Sequence, residues 1–170
     1  EMLLLRARLR LNEARQEKAI VDAERLLAEF PASQFSNEAL WILGYVAWQD
    51  RRYRSAADYL QRIRDRLPPG NERNRLGQLV GDCYFSNGDY AIAASVYRSV
   101  LQNAPDPERL HVVAYQDIIS EINAGRLDEA AAALDSASLL GHIDNTRLWR
   151  AEWNLVEALR REARTNEAFS

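Results

Sequence analysis

Apolar residues along the chain recur at three- and four-residue steps, and the runs that carry this spacing are broken at regular intervals. Leu40, Leu43, Gly44 and Ala47 mark one face of a first run. Tyr53, Ala56, Ala57, Leu60 and Ile63 mark a second. Such spacing is the signature of helices that bury one side. The polar break Asp50-Arg51-Arg52 divides the two runs, and Pro68-Pro69-Gly70 ends the second. Proline stops a helix and disfavours helical backbone at the residue before it. The scheme then repeats. Val80, Gly81 and Tyr84 lie on one run, Asn87-Gly88-Asp89 forms the turn, and Tyr90, Ala93, Tyr97 and Val100 lie on the next. The pattern predicts helix pairs over 36–49 with 53–66, 72–87 with 90–103, and 107–124 with 127–139. No useful window alternates with a strand's period of two, so the chain is expected to be all-α.

The repetition has a fixed period. Ala19, Ala56, Ala93 and Ala130 are each 37 residues apart, as are Pro31, Pro68 and Pro105. Gly44 and Gly81 share the spacing, and so do Gly88 and Gly125. Glycine costs about 1 kcal/mol against alanine inside a helix, so Gly44 and Gly81 are expected where two helices cross closely, opposite Ala56 and Ala93. Gly88 and Gly125 fall after a first helix, where a left-handed cap is expected.

Gly81, Tyr84, Ala93, Tyr97 and Pro105 resemble the tetratricopeptide repeat pattern W-x2-L-G-x2-Y…A-x3-F…P. Residues 74–107 match best, and 37–70 follow with Ala47 and Leu60 at two aromatic positions. Residues 111–144 keep Gly125, Leu127, Ala130 and Leu134 but carry Ile118 and His142 for the glycine and the proline. The stretches 1–33 and 149–170 resemble a first repeat with a degenerate first helix and a last repeat cut off within its second helix. The resemblance implies one right-handed α-solenoid of antiparallel helix pairs over 1–170, about four to five repeats, as a segment of a longer protein. The links Phe30-Pro31-Ala32-Ser33 and Asn37-Glu38-Ala39-Leu40 are similar to those of bacterial cell-envelope repeat proteins. A periplasmic location is the reading they favour, with a cytoplasmic one as the alternative.

Composition adds exclusions. Twenty-two basic and 25 acidic residues leave a net charge of −3, so no nucleic-acid partner is expected, since that needs a basic excess on one face. No run approaches the roughly 18 apolar residues of a spanning helix, so no direct membrane insertion is expected. One cysteine makes neither an internal disulfide nor a multi-cysteine metal site. Cys83 reads as a small core residue, His111 as part of a helix start and His142 as part of a link, outside any metal spacing. The stretch from Arg51 to Arg66 interleaves arginines with Asp50, Asp58 and Asp65 and reads as a solvated face with local ion pairs. No catalytic, metal or cofactor site is expected, and the chain reads as a non-enzyme.

In the family that the chain resembles, first helices line a concave groove. Transferred by register, the groove-facing side chains are Glu38, Trp41, Tyr45, Trp48 and Gln49 in one repeat. In the next they are Arg75, Gln78, Asp82, Phe85 and Ser86, and in the third Val112, Tyr115, Ile119, Ile122 and Asn123. Trp48 and Ile122 read as core, while Trp41 and Tyr45 fit either packing between repeats or an open groove. A protein or peptide partner against Trp41, Tyr45, Gln78, Asp82, Phe85, Tyr115 and Ile119 is the expected function. The alternatives are a structural spacer or self-association module, in which a homo-oligomer forms, and a regulatory domain of a larger protein. The clamp that holds a chaperone's terminal carboxylate needs lysine and asparagine where this chain has Trp41, Tyr45, Gln78 and Asp82, and its only lysine is Lys18. That function is not expected. Leu3, Leu4, Leu5 and Leu9 at one end and Phe169-Ser170 at the other are expected to be cut edges with uncovered apolar surface.

Overall fold

A computed structural model describes residues 1–103 and 106–168. Every regular element among them is a helix: α1 (Met2–Asn12), α2 (Gln16–Glu29), α3 (Ser36–Gln49), α4 (Tyr53–Arg64), α5 (Asn71–Asn87), α6 (Tyr90–Leu101), α7 (Pro107–Asn123), α8 (Leu127–Leu139) and α9 (Asn145–Ala168). The three helix pairs predicted from apolar spacing end within two residues of those limits. Pro105, the third proline of the periodic set, and Phe169-Ser170 lie outside the described residues.

The chain forms two compact units, Glu1–Pro68 and Pro69–Ser170. In the first, α1 packs on α2, α2 on α3, and α3 on α4. Leu4, Ala7, Ala23, Leu26, Ala39, Ile42 and Leu43 form its core. In the second, α5 packs on α6, α6 on α7, and α7 on α8, while α9 packs on both α7 and α8. Tyr97, Val100 and Val113 are central to one of its apolar clusters. Ile118, Leu134 and Leu155 are central to the other. The architecture is an all-α solenoid built from tetratricopeptide-like helix hairpins.

The hairpin turns obey the 37-residue period at atomic detail. The only described residues with positive φ outside links are Ala14 (57°), Arg51 (58°), Gly88 (84°) and Gly125 (73°), one per period. Each is followed by an amide that donates back across the turn: Arg15 to Arg10 (2.8 Å), Arg52 to Ala47 (2.8 Å), Asp89 to Tyr84 (2.9 Å) and Arg126 to Glu121 (3.0 Å). This is the left-handed cap that closes a helix by satisfying its last carbonyls. Two of the four positions meet the requirement without glycine.

Across the same turns, apolar side chains close in pairs. Trp48 meets Tyr53 edge-on at 5.0 Å, and Phe85 meets Tyr90 edge-on at 5.1 Å. Ile122 and Leu127 hold the corresponding places one period later and pack against the same core cluster. Ile122 is therefore partly core. Trp48 is not buried as its sequence position suggested: it is 41% exposed, because its ring is spent on the turn rather than inserted between helices.

The two matched glycines behave differently. A Cβ on Gly81 would lie 2.4 Å from Tyr97 Cε1, whereas one on Gly44 would meet Leu60 at an ordinary 3.5 Å. Close crossing thus demands glycine at 81 and not at 44. Leu60 and Tyr97 are one period apart, and the larger ring takes up the space.

The C-terminal end also departs from expectation. Among the described residues no second helix begins after Trp149; α9 is one uninterrupted helix from Asn145 to Ala168. Nothing between Trp149 and Ala168 is a glycine or a proline, so no residue there breaks the ladder. Its Trp149 and Trp153 rings stack at 6.1 Å on the exposed side.

Candidate protein-binding surface

The residues singled out by register fall in different units. Trp41 and Tyr45 belong to the first. They stand one turn apart on α3, and 47% and 44% of their respective surfaces are exposed. The other side of α3 buries Ala39, Leu40, Leu43 and Val46, so the helix is anchored while its rings face water. Trp41 and Tyr45 line a recess of about 440 Å³ with Leu11, Asn12, Gln16 and Gln49. Gln16 donates to Gln49 Oε1 at 3.0 Å, and Gln49 donates in turn to the Tyr45 hydroxyl. That relay fixes the phenol in orientation while leaving its face open. Arg8 of α1 also pairs with Glu38 of α3.

In the second unit two register positions, Gln78 and Asp82, are polar and are joined through Gln116 of α7. Arg109 Nη1 donates to Gln78 Oε1 (2.6 Å), and Gln78 Nε2 donates to Gln116 Oε1 (3.2 Å). Gln116 Nε2 donates to Asp82 Oδ1 (2.6 Å), which also accepts from the Tyr97 hydroxyl (2.7 Å). This chain ties α5 to α6 and α7. Burial pushes the Asp82 carboxyl above its ordinary range, and the two hydrogen bonds draw it part of the way back. Both bonds end on Oδ1, which leaves Oδ2 able to accept from a bound group. Phe85 is half-buried and turned onto Tyr90. Tyr115 packs partly against the core, and Ile119 is half-buried. The open aromatic character foreseen for all repeats is thus concentrated on α3, and Gln78 and Asp82 form a separate polar patch.

The remaining candidates have structural surroundings. Cys83 is a buried free thiol, pushed up to about 12 by burial and then by Asp82; a thiol so held is not a nucleophile. His111 is half-buried near the start of α7, and His142 sits in the link before α9. Among the arginines of 51–66, Arg52 pairs with Asp50 at 3.0 Å, and Arg64 is buried rather than solvated. Among the described residues, no three His, Cys, Asp or Glu side chains are grouped to hold a metal. None of the described helices is long and apolar enough to cross a membrane.

Sequence reasoning missed the buried charges. Asp22 of α2 is held by the forked guanidinium of Arg6 (Nε–Oδ2 2.8 Å) and by Arg10 (2.5 Å) of α1. The hydrogen bonds from Arg6 keep its carboxyl below the ordinary range despite burial. Asp117 and Glu121 of α7 are also buried, with Arg98 of α6 between them. The signal was present in the period, since Asp117 falls in register with Leu43 and Val80, and Glu121 with Ala47 and Tyr84.

Two family models for the tetratricopeptide repeat match the chain, over residues 4–72 and 79–107. Together they span more than half of it, and the chain belongs to the tetratricopeptide repeat family. Repeats of this family generally mediate protein–protein interaction and typically serve as scaffolds without catalysis. No curated protein and no solved structure matches the chain.

Proposed function

We propose that the chain is a protein-interaction scaffold whose α3 face takes an extended or helical segment of a partner protein. The observation that carries this reading is the pair Trp41 and Tyr45, two large rings left open above a recess within a well-packed unit. Aromatic side chains dominate binding hot spots, and exposed apolar surface on a folded domain marks interaction sites. The second unit has a polar candidate of its own in Asp82, whose bonds to Tyr97 and Gln116 both end on Oδ1. The links that resemble those of bacterial envelope proteins favour a partner in that compartment under the same reading, with the cytoplasm as the alternative.

Selection from a random-peptide phage library against the wild-type chain tests it. Enriched peptides should bind in fluorescence anisotropy and lose affinity about tenfold or more for Trp41→Ala and Tyr45→Ala, with unchanged circular dichroism. Equal binding to the doubly substituted chain would overturn the assignment to α3.

Self-association is the second reading, favoured by the exposed Trp149–Trp153 stack on α9. Light scattering across concentrations distinguishes the two: a mass that rises with concentration and reverts on Trp153→Ala supports association through α9.

A further inference from the structure

One repeat differs from its neighbours in its buried positions. Where the first two windows place Leu43 and Val80 in the core, the third places Asp117, which is 3% exposed. Around it the chain has lost bulk: Ala133 stands in register with Tyr59 and Val96, and Ala137 with Ile63 and Val100. The result is a cleft of about 500 Å³ framed by α6, α7 and α8, with Arg98, Asp117, Glu129, Ala133, Ala137 and His142 among its lining residues. Leucine or valine would have closed the core without the cost of burying a charge.

The charges in and beside the cleft are unevenly paired. Glu121, which is fully buried, takes the close contacts of both nearby guanidiniums: Arg98 Nη2 at 2.5 Å and Arg126 Nε at 2.9 Å. Asp117 is left with one long contact to Arg98 at 3.4 Å, and Glu129 adds a second carboxylate at an exposed position of the lining. An anion would meet two carboxylates and an arginine already engaged. A purely apolar ligand would strip water from Asp117 and give it no partner. A cation carried on an aliphatic stem satisfies both surfaces, the stem on the alanines and the head on Asp117. Guanidinium suits this better than ammonium, because it is more weakly hydrated and meets a carboxylate with two parallel donors.

We propose that the cleft between α6 and α8 is a second binding site, which receives an arginine side chain from a partner protein and seats its guanidinium on Asp117 and Glu129. This site is distinct from the α3 face and stands whether or not that face binds a peptide.

The test is a two-dimensional amide NMR titration of the full chain at neutral pH with butylguanidinium chloride, with butylurea as a neutral probe of the same shape, and with N-acetyl-Ala-Arg-Ala-amide. Butylguanidinium should shift amides of α6, α7 and α8, butylurea should not, and the capped peptide should bind more tightly than butylguanidinium. Asp117→Asn should weaken binding about tenfold or more, as expected for a lost charged hydrogen bond. Ala133→Leu, which fills the cleft and leaves every charge in place, should abolish it. Equal shifts with butylurea, binding retained by either variant, or shifts confined to other helices would overturn the proposal. Tighter binding of free arginine than of the capped peptide would overturn the protein source and assign the cleft to a small molecule.

Discussion

The phenol ring of Tyr97 lies across Gly81 so closely that a single added methyl would fall 2.4 Å from Cε1, and the hydroxyl of the same ring bonds the next residue, Asp82. Gly81→Ala must therefore displace either α6 or the ring, and is expected to destabilise the second unit by about 1–3 kcal/mol, the range for overpacking. Gly44→Ala meets only ordinary contact with Leu60 and should be neutral or stabilise by up to about 1 kcal/mol through helix propensity. Pairing Gly81→Ala with Tyr97→Leu reproduces the arrangement at 44 and 60 and should recover part of the loss. Denaturant unfolding of the three variants measures each.

Arg51 and Ala14 occupy left-handed backbone that the later hairpins give to glycine. For a residue with a Cβ this conformation costs roughly 1–2 kcal/mol. Replacing either by glycine should raise stability by about 1 kcal/mol, less the extra entropy glycine brings to the unfolded chain. Gly88→Ala should lower it by a similar amount. Thermal melts that move in the same direction for both classes of change would contradict this account of the turns.

Asp117 gives the fold a pH dependence of unusual sign. Burial raises its carboxyl to about 6 from an ordinary 3.8, against the pull of Arg98 and Arg126 and with the push of Glu121. Glu129 and His142 are the other titratable groups lining its cleft. The folded chain then holds this proton more tightly than the unfolded chain, so this group's contribution to stability falls as pH rises from 3.8 to about 6 and is level above. Asp117→Asn should be more stable than wild type by about 1–3 kcal/mol above pH 6, an advantage that shrinks as pH falls below. A difference independent of pH would place the titration elsewhere.

Phe85 and Tyr90 close the α5–α6 turn edge-to-face. A double-mutant cycle with leucine at both sites should give a coupling of about 0.5–1.5 kcal/mol. The corresponding cycle at Trp48 and Tyr53 should give a comparable value, since the geometry recurs at 5.0 Å and 68°.

Helix limits were legible because apolar spacing and chain breakers act locally: Pro68-Pro69-Gly70 ends a helix wherever the rest of the molecule lies. The left-handed positions at 88 and 125 were legible because glycine marks them; those at 14 and 51 carry no such mark. The groove positions came from register with a family, and register assigns a face without saying what bonds there. Register singled out Gln78 and Asp82, and it held no sign that Arg109 and Gln116 engage them from another helix. Trp48 was misjudged because a large ring at a helix end has two apolar places to go, and the turn partner Tyr53 was nearer than the core.

Cys83 gives the second unit a timing device. It is the chain's single thiol, buried on α5 beside Asp82, and it reacts as a thiolate that burial suppresses. A disulfide reagent will therefore modify the folded chain at a rate set by how often the packing around Cys83 opens, so that one colour change reports that local opening. The first unit holds no cysteine to react, and any binding event that clamps α5 to its neighbours will be read as a slower clock.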